Sequence, residues 1–192
     1  MVKIYTKTGD GGQTGTLRGR MGKDDQLAVA LGALDEINSW MGLCRYQCKV
    51  SGSQFKKIDM ELAVIQSELL KVGSLLAGSK KKRLGGVATK RLESLIDELD
   101  KQLPKLSNFI LPTGVGPAAY LQVARSVARR TEREVVKYVN SKHEIRSSKQ
   151  FWDLKSKTEK NMLMYLNRLS DVLFVMGRWV NRELKGKDEV WK

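Results

Sequence analysis

The sequence predicts an all-α protein, an antiparallel five-helix bundle preceded by a glycine-rich N-terminal loop. Five segments repeat apolar residues at helical spacing, and no segment of comparable length alternates with the period of two that a half-buried strand requires. Most links between those segments are short, which makes successive helices antiparallel neighbours with coiled-coil-like packing. The 192 residues fit one domain that buries a full core without disulfides or structural metal. That single domain spans 1–192, with 1–23 as the loop and about 24–184 as the bundle.

The first helix runs from an N-cap at Asp24 or Asp25 to about Lys49, with Leu27, Leu31, Leu34, Ile37, Met41 and Cys44 on one side. In the second, Ile58, Leu62, Ile65, Leu69, Val72 and Leu76 alternate four and three apart, the spacing of a coiled-coil seam. A shorter third helix, about 89–103, carries Leu92, Leu95, Ile96 and Leu99, with Pro104 just past its end. Gly116 and Pro117 supply the cap and first-turn proline of a fourth helix that continues to about Val139. A fifth runs over about 159–184. Between the last two lies a Ser- and Lys-rich connection, read as a flexible loop with a turn of helix around Phe151 and Leu154.

Composition narrows the function. The sequence MVKIYTKTGD lacks the apolar core of a secretory signal, and no apolar run approaches the roughly 20 residues needed to span a bilayer. A cytoplasmic protein is expected. Cys44 and Cys48 share a helix face as free buried thiols, and with His143 the only histidine, a four-ligand Cys/His zinc site cannot be assembled in one chain. Lys and Arg number 35 against 21 Asp and Glu, so the formal charge is +14. This excess suits nucleic acid, an anionic membrane or a phosphate-rich small molecule, and equally a solvated surface. Much of it falls at 80–83 and between Lys142 and Lys160.

The segment TKTGDGGQTGTLRGR interleaves Gly9, Gly11, Gly12, Gly15 and Gly19 with Thr, Lys and Arg, and Gly22 follows. Such a chain can turn its amides inward around an anion while hydroxyls and cations add donors. It is neither a Walker A motif nor a calcium loop, because Lys-Ser/Thr spacing is missing and Asp10 has no carboxylates two residues away. Taken alone it also suits a plain turn or a tail. On helix four, Gln122, Arg125, Arg129, Glu132 and Val136 fall on one stripe with Arg130 and Arg133 beside it. Clustered guanidiniums call for a phosphate or carboxylates opposite, unless they form a salt-screened face. Helix five adds Asn167, Asp171 and Arg178 opposite Leu166, Leu169, Leu173 and Met176, and helix one adds Asp35, Asn38 and Ser39; each of these also suits a boundary position.

In order, TKTGDGGQTG, GKDDQLAVALGALDEINSWMG, FILPTGVGPAAYLQVARSVARRTEREVV and LNRLSDVLFVMGRWVN resemble the PduO-type ATP:cob(I)alamin adenosyltransferases over nearly the whole chain. The resemblance implies a five-helix bundle, a homotrimer with active sites between subunits, and transfer of the 5′-deoxyadenosyl group of ATP to the cobalt of cob(I)alamin or a related corrinoid. Thr6, Lys7, Thr8, Gln13, Thr14 and Lys23 would then wrap the triphosphate, so the loop becomes a nucleotide-binding loop. Arg129, Arg130, Glu132 and Arg133, with Asn167, would supply the other half, and Arg129 is the expected catalytic residue. Mg²⁺ would ride on ATP, with no metal ligand assigned to the protein. Phe109 matches the family's aromatic that excludes the lower axial ligand of cobalamin; by itself it also reads as a core anchor before Pro112. Asp35 and Arg125 match a pair formed across a subunit boundary beside the corrinoid. A flavin-type reductase and a cobalamin-dependent enzyme are the implied protein partners, and neither membrane nor nucleic acid is.

Three departures stand out. Gln122 occupies a position where the family commonly has His, LLAGSKKKRL replaces an acidic and proline-containing continuation, and FILPTGVG varies the usual glycine-rich one. Two other functions fit the residues: a non-catalytic corrinoid or nucleotide carrier, and a basic nucleic-acid-binding bundle. The second lacks aromatics interleaved along its basic stretches.

Overall fold

The computed structural model describes residues 4–142 and 156–192. A two-stranded antiparallel hairpin, β1 (Gln13–Thr16) and β2 (Gly19–Gly22), precedes α1 (Gln26–Ser51), α2 (Lys56–Leu76), α3 (Gly86–Asp100), α4 (Pro117–Ser141) and α5 (Lys157–Glu183). A single 3-10 turn, Ser53–Phe55, joins α1 to α2. The five expected helices are present. α4 lies between α1 and α5, α2 packs on α1, and α3 packs on α5.

Local chemistry sets the helix ends. Asp25 caps α1 by accepting from the Leu27 amide at 2.7 Å, so the second of the two expected aspartates takes this role. Gly116, at φ 53, turns the chain into Pro117 at the start of α4. Ser156 and Glu159 cap α5 reciprocally, each side chain accepting from the other residue's backbone amide. α3 begins and ends about three residues earlier than its apolar spacing indicates, because residues 86–88 extend the helix ahead of its first buried position, Thr89.

The α2 seam is buried throughout, from Ile58 to Leu76, and Leu166, Leu169, Leu173 and Met176 of α5 are fully enclosed. Each such side chain stabilises the fold by roughly 1.5–3 kcal/mol relative to exposure. Cys44 and Cys48 are free and buried. Burial pushes their thiols up to about 12 and about 11, so neither serves as a nucleophile near neutral pH.

Two features differ from the sequence reading. The N-terminal segment forms the hairpin instead of an unpaired loop, with Thr14 opposite Met21 and Gly15 opposite Arg20. Four-residue strands rich in glycine carry too little apolar alternation to register as strands. Arg178, grouped with Asn167 and Asp171 by spacing, is only 3 % exposed. It donates to Asp188 at 2.8 Å and to the Pro104 carbonyl at 2.8 Å, pinning the C-terminal tail and the segment after α3. His143, Phe151 and Leu154, and most of the basic stretch between Lys142 and Lys160, lie outside the described residues. Among the described residues no helix is long and apolar enough to cross a membrane.

Candidate active site

The glycine-rich segment gathers its polar groups around the open end of the hairpin. Lys7 sits at φ 60, a left-handed conformation uncommon for a non-glycine residue, and its carbonyl accepts from the Asp10 amide. Thr6 and Thr8 share a hydroxyl hydrogen bond at 2.8 Å. Arg20 reaches back from β2, donating Nε to Gln13 Oε1 at 3.2 Å and its guanidinium to the Thr8 carbonyl. The Lys23 amide donates to the Gly12 carbonyl at 2.9 Å, and a Cβ at Gly9 would stand 3.4 Å from Lys23 Nζ, so this lysine lies over the turn. Thr6, Lys7, Thr8, Gln13 and Lys23 are therefore assembled in one turn-rich, exposed unit, with the half-buried Thr14 beside them on β1. Among the described residues neither Lys7 nor Lys23 has a carboxylate partner.

α4 presents the second polar surface. Arg129 and Arg133 are exposed and make no hydrogen bond or ion pair among the described residues. Glu132 Oε1 accepts from Asn167 Nδ2 at 3.0 Å, which brings two of the expected residues together from different helices. Arg130 turns the other way and pairs with Glu36 of α1. Arg125 is half-buried, donates Nε to Gln122 Oε1 at 2.9 Å and lies 6.0 Å over the Phe174 ring. Burial and the neighbouring Arg129 charge hold its guanidinium below the usual arginine range.

Arg125 opens onto a cleft of about 930 Å³ that it shares with Phe109, Gln122, Phe174 and Trp191. Phe109 is 80 % exposed, so it is a presented aromatic and not a core anchor. The C-terminal tail holds it in place. Trp191 donates its amide to the Phe109 carbonyl at 2.9 Å, the Leu111 amide donates to the Glu189 carbonyl at 2.8 Å, and Ile110 pairs with Val190. Phe174 and the tail went unnoticed in the sequence. Nothing in local periodicity reports a segment that returns across the molecule to pair with an irregular loop.

Asp35 is exposed on α1 and lines a different cleft, of about 570 Å³, with Asn38, Gly15 and Leu70 among its walls. In one chain Asp35 and Arg125 thus face separate spaces and form no ion pair. Nor does any hydrogen bond join residues 6–12 to the arginine face of α4 or to Asn167 among the described residues. Among the same residues there is no cluster of three His, Cys, Asp or Glu side chains that could hold a metal.

A surface of free guanidiniums, a cationic glycine turn and an aromatic-lined cleft suit a phosphate-bearing ligand beside a large planar one. Comparison with known proteins identifies the family. A family model described as cobalamin adenosyltransferase matches residues 4–180. A corrinoid adenosyltransferase of Bacillus subtilis is 38% identical over 184 residues, 94% of this chain and 87% of that one. A cobalamin adenosyltransferase of Cupriavidus metallidurans is 34% identical over 193 residues, covering 100% and 95% of the two chains. Among solved structures, a variant PduO-type ATP:corrinoid adenosyltransferase from Lactobacillus reuteri, complexed with cobalamin and ATP, superposes with a TM-score of 0.82 at 31% identity, covering 99% of each chain. Another variant of that type from Lactobacillus reuteri, complexed with ATP, gives 0.82 at 32% identity over 98% of this chain and 100% of that chain.

Proposed function

This chain belongs to the cobalamin adenosyltransferase family, and we propose that its two polar surfaces are the two halves of one ATP site. The enzyme transfers the 5′-deoxyadenosyl group of ATP to the cobalt of cob(I)alamin or a related corrinoid and releases triphosphate. The Co(I) electron pair forms the cobalt–carbon bond while the carbon–oxygen bond to the triphosphate breaks. The reactivity belongs to the corrinoid, so the protein has to orient the reacting carbon and stabilise the departing anion. No side-chain nucleophile or acid–base pair is required.

The observation that carries this reading is the pairing of Glu132 with Asn167 beside Arg129 and Arg133, two exposed arginines that make no hydrogen bond or ion pair among the described residues. Glu132 accepts from Asn167 and pairs with neither Arg129 nor Arg133, so both arginines keep their donors for a ligand. In this reading Thr6, Lys7, Thr8, Gln13, Thr14 and Lys23 wrap the triphosphate from the hairpin side, Arg129 is the catalytic contact to the leaving group, and Arg130 joins after releasing Glu36. Mg²⁺ is assigned to the triphosphate oxygens, where it shares the charge with Lys7 and Arg129. Phe109 and Arg125 face the corrinoid across the aromatic cleft.

Two halves unjoined within one chain support a homotrimer in which a neighbour's loop meets this chain's arginine face, with Asp35 of one subunit paired to Arg125 of the next. The family resemblance implies the remaining partners. Co(I) arises from a one-electron reduction, which we assign to a flavin-type reductase in the cytoplasm, and a cobalamin-dependent enzyme consumes the product. The test is spectroscopic: the purified chain with ATP, Mg²⁺ and chemically reduced cobalamin under anaerobic conditions yields adenosylcobalamin. Arg129→Ala slows it by about 10²–10³ with unchanged helical content, the loss seen when a charge-stabilising donor is removed. No product from the unmodified chain would overturn the reading, and a matching loss of helix in the variant would make Arg129 structural.

A further inference from the structure

We propose that the chain carries a second anion site, for a polyphosphate group, in the cleft where the hairpin turn, the α2–α3 connection and the adjoining ends of α4 and α5 meet. The cleft encloses about 920 Å³. Arg18 enters from the hairpin turn, Lys80, Lys82 and Arg83 from the connection, Lys142 from the end of α4 and Lys157 from the start of α5. Among the described residues Glu159 is the one carboxylate in its lining, and it is already engaged by the Ser156 cap and by Lys142 at 2.8 Å. Lys80, Lys82, Arg83 and Lys157 have no hydrogen-bond or ion-pair partner among the described residues.

Arg18 is exposed at the rim of the cleft but held there by specific contacts. Its Nη1 donates to the Tyr138 hydroxyl at 3.1 Å, and its stem lies against Gly78. A Cβ at Gly78 would come within 2.7 Å of Arg18 Cγ and 2.9 Å of its Nε, and Gly78 also sits at φ 104. Gly78 is the left-handed residue that ends α2, where the Gly78 and Ser79 amides donate back to Leu75 and Ser74, and its missing Cβ leaves room for the Arg18 stem. The floor is formed by the buried Leu76, Leu84 and Met162, and this apolar backing strengthens electrostatic attraction at the rim.

Cations so arranged repel one another until a multivalent anion joins them, and one isolated phosphate offsets at most two charges. A chain of phosphoryl groups matches the set better, whether free polyphosphate or the phosphate arm of a nucleotide. The site differs from the ATP loop, since four-residue strands at about 3.3 Å per residue set the Arg18 turn roughly 13 Å from the open end of the hairpin. Its occupant would fasten one end of a hairpin whose other end carries the ATP loop.

Calorimetric titration of inorganic tripolyphosphate into the full chain at physiological salt tests it, using Lys82→Ala/Arg83→Ala and, separately, Arg129→Ala. The double variant should bind tripolyphosphate about tenfold more weakly or worse, with unaltered circular dichroism, while Arg129→Ala retains the cleft's binding. Arg18→Ala, which removes the cation at the hairpin turn, should weaken it as well. GTP competing with the tripolyphosphate that Arg129→Ala retains identifies a nucleotide's phosphate arm as the occupant, and absence of competition there identifies free polyphosphate; both support the site. Unchanged binding in the double variant, loss confined to Arg129→Ala, or a short RNA bound where tripolyphosphate is not would overturn it.

Discussion

Asn167 Nδ2 donates to Glu132 Oε1 at 3.0 Å, linking the exposed faces of α5 and α4 beside Arg129 and Arg133. An exposed hydrogen bond contributes at most about 1 kcal/mol to folding, so the value of this one lies in what it positions. Asn167→Ala should leave the melting temperature within a few degrees of the parent and raise the KM for ATP about tenfold. A large drop in melting temperature with an unchanged KM would make the pair structural.

Gln122, 4 % exposed, accepts from Arg125 and so fixes a guanidinium that burial and Arg129 both disfavour. Gln122→Leu removes that acceptor at similar volume and should raise the KM for the corrinoid several-fold, with ATP affinity altered by less than about twofold. Gln122→His restores an acceptor and should recover most of the loss. Failure of His to rescue, while Leu is harmful, would point to packing instead of orientation.

Phe109 is 80 % exposed, so its removal should cost stability no more than about 0.5 kcal/mol. If Phe109 excludes the axial ligand, as the family resemblance implies, Phe109→Ala should nevertheless slow adenosylation starting from cob(II)alamin by about 10²-fold and leave ATP binding unchanged. Equal turnover of the variant and the parent from cob(II)alamin would remove Phe109 from the mechanism.

The start of α5 predicts an acid response. Burial pushes the Glu159 carboxyl up, but hydrogen bonds from Lys142 and Ser156 outweigh this and carry it from 4.5 down to about 2. A carboxyl depressed in the folded state contributes stability that is complete above its unfolded value and is lost as pH falls from about 4.5 toward 2. Thermal denaturation across that window should show a smaller pH dependence for Glu159→Gln than for the parent, and Ser156→Ala should cost about 1 kcal/mol at neutral pH. Parallel curves for Glu159→Gln and the parent would contradict this assignment.

The bundle was legible because its information is local. The seam from Ile58 to Leu76, the Asp25 cap and the Gly116–Pro117 start each sit within a few residues of the structure they specify. The hairpin was not, since its register rests on backbone pairing and glycines at φ 76 and 121 instead of side-chain alternation. At the site, α4 spacing identified the arginine stripe and set Arg130 beside it, but it could not show that Arg130 turns to Glu36. Nor could it reveal Arg178 as a buried anchor, or the tail that carries Trp191 back to Phe109. Those contacts join residues far apart in the chain, and only the fold brings them together.

The central claim is that a loop from one chain meets the arginine face of another, and coexpression of two separately inactive variants tests it most directly. Lys7→Ala damages only the loop half and Arg129→Ala only the helical half. If the halves come from different subunits, random assortment gives about a quarter of the sites two intact halves, and activity should return to roughly that fraction of the parent's. Mixed assemblies that stay as inactive as either variant alone, although shown to contain both chains, would contradict it and put the whole site within one subunit.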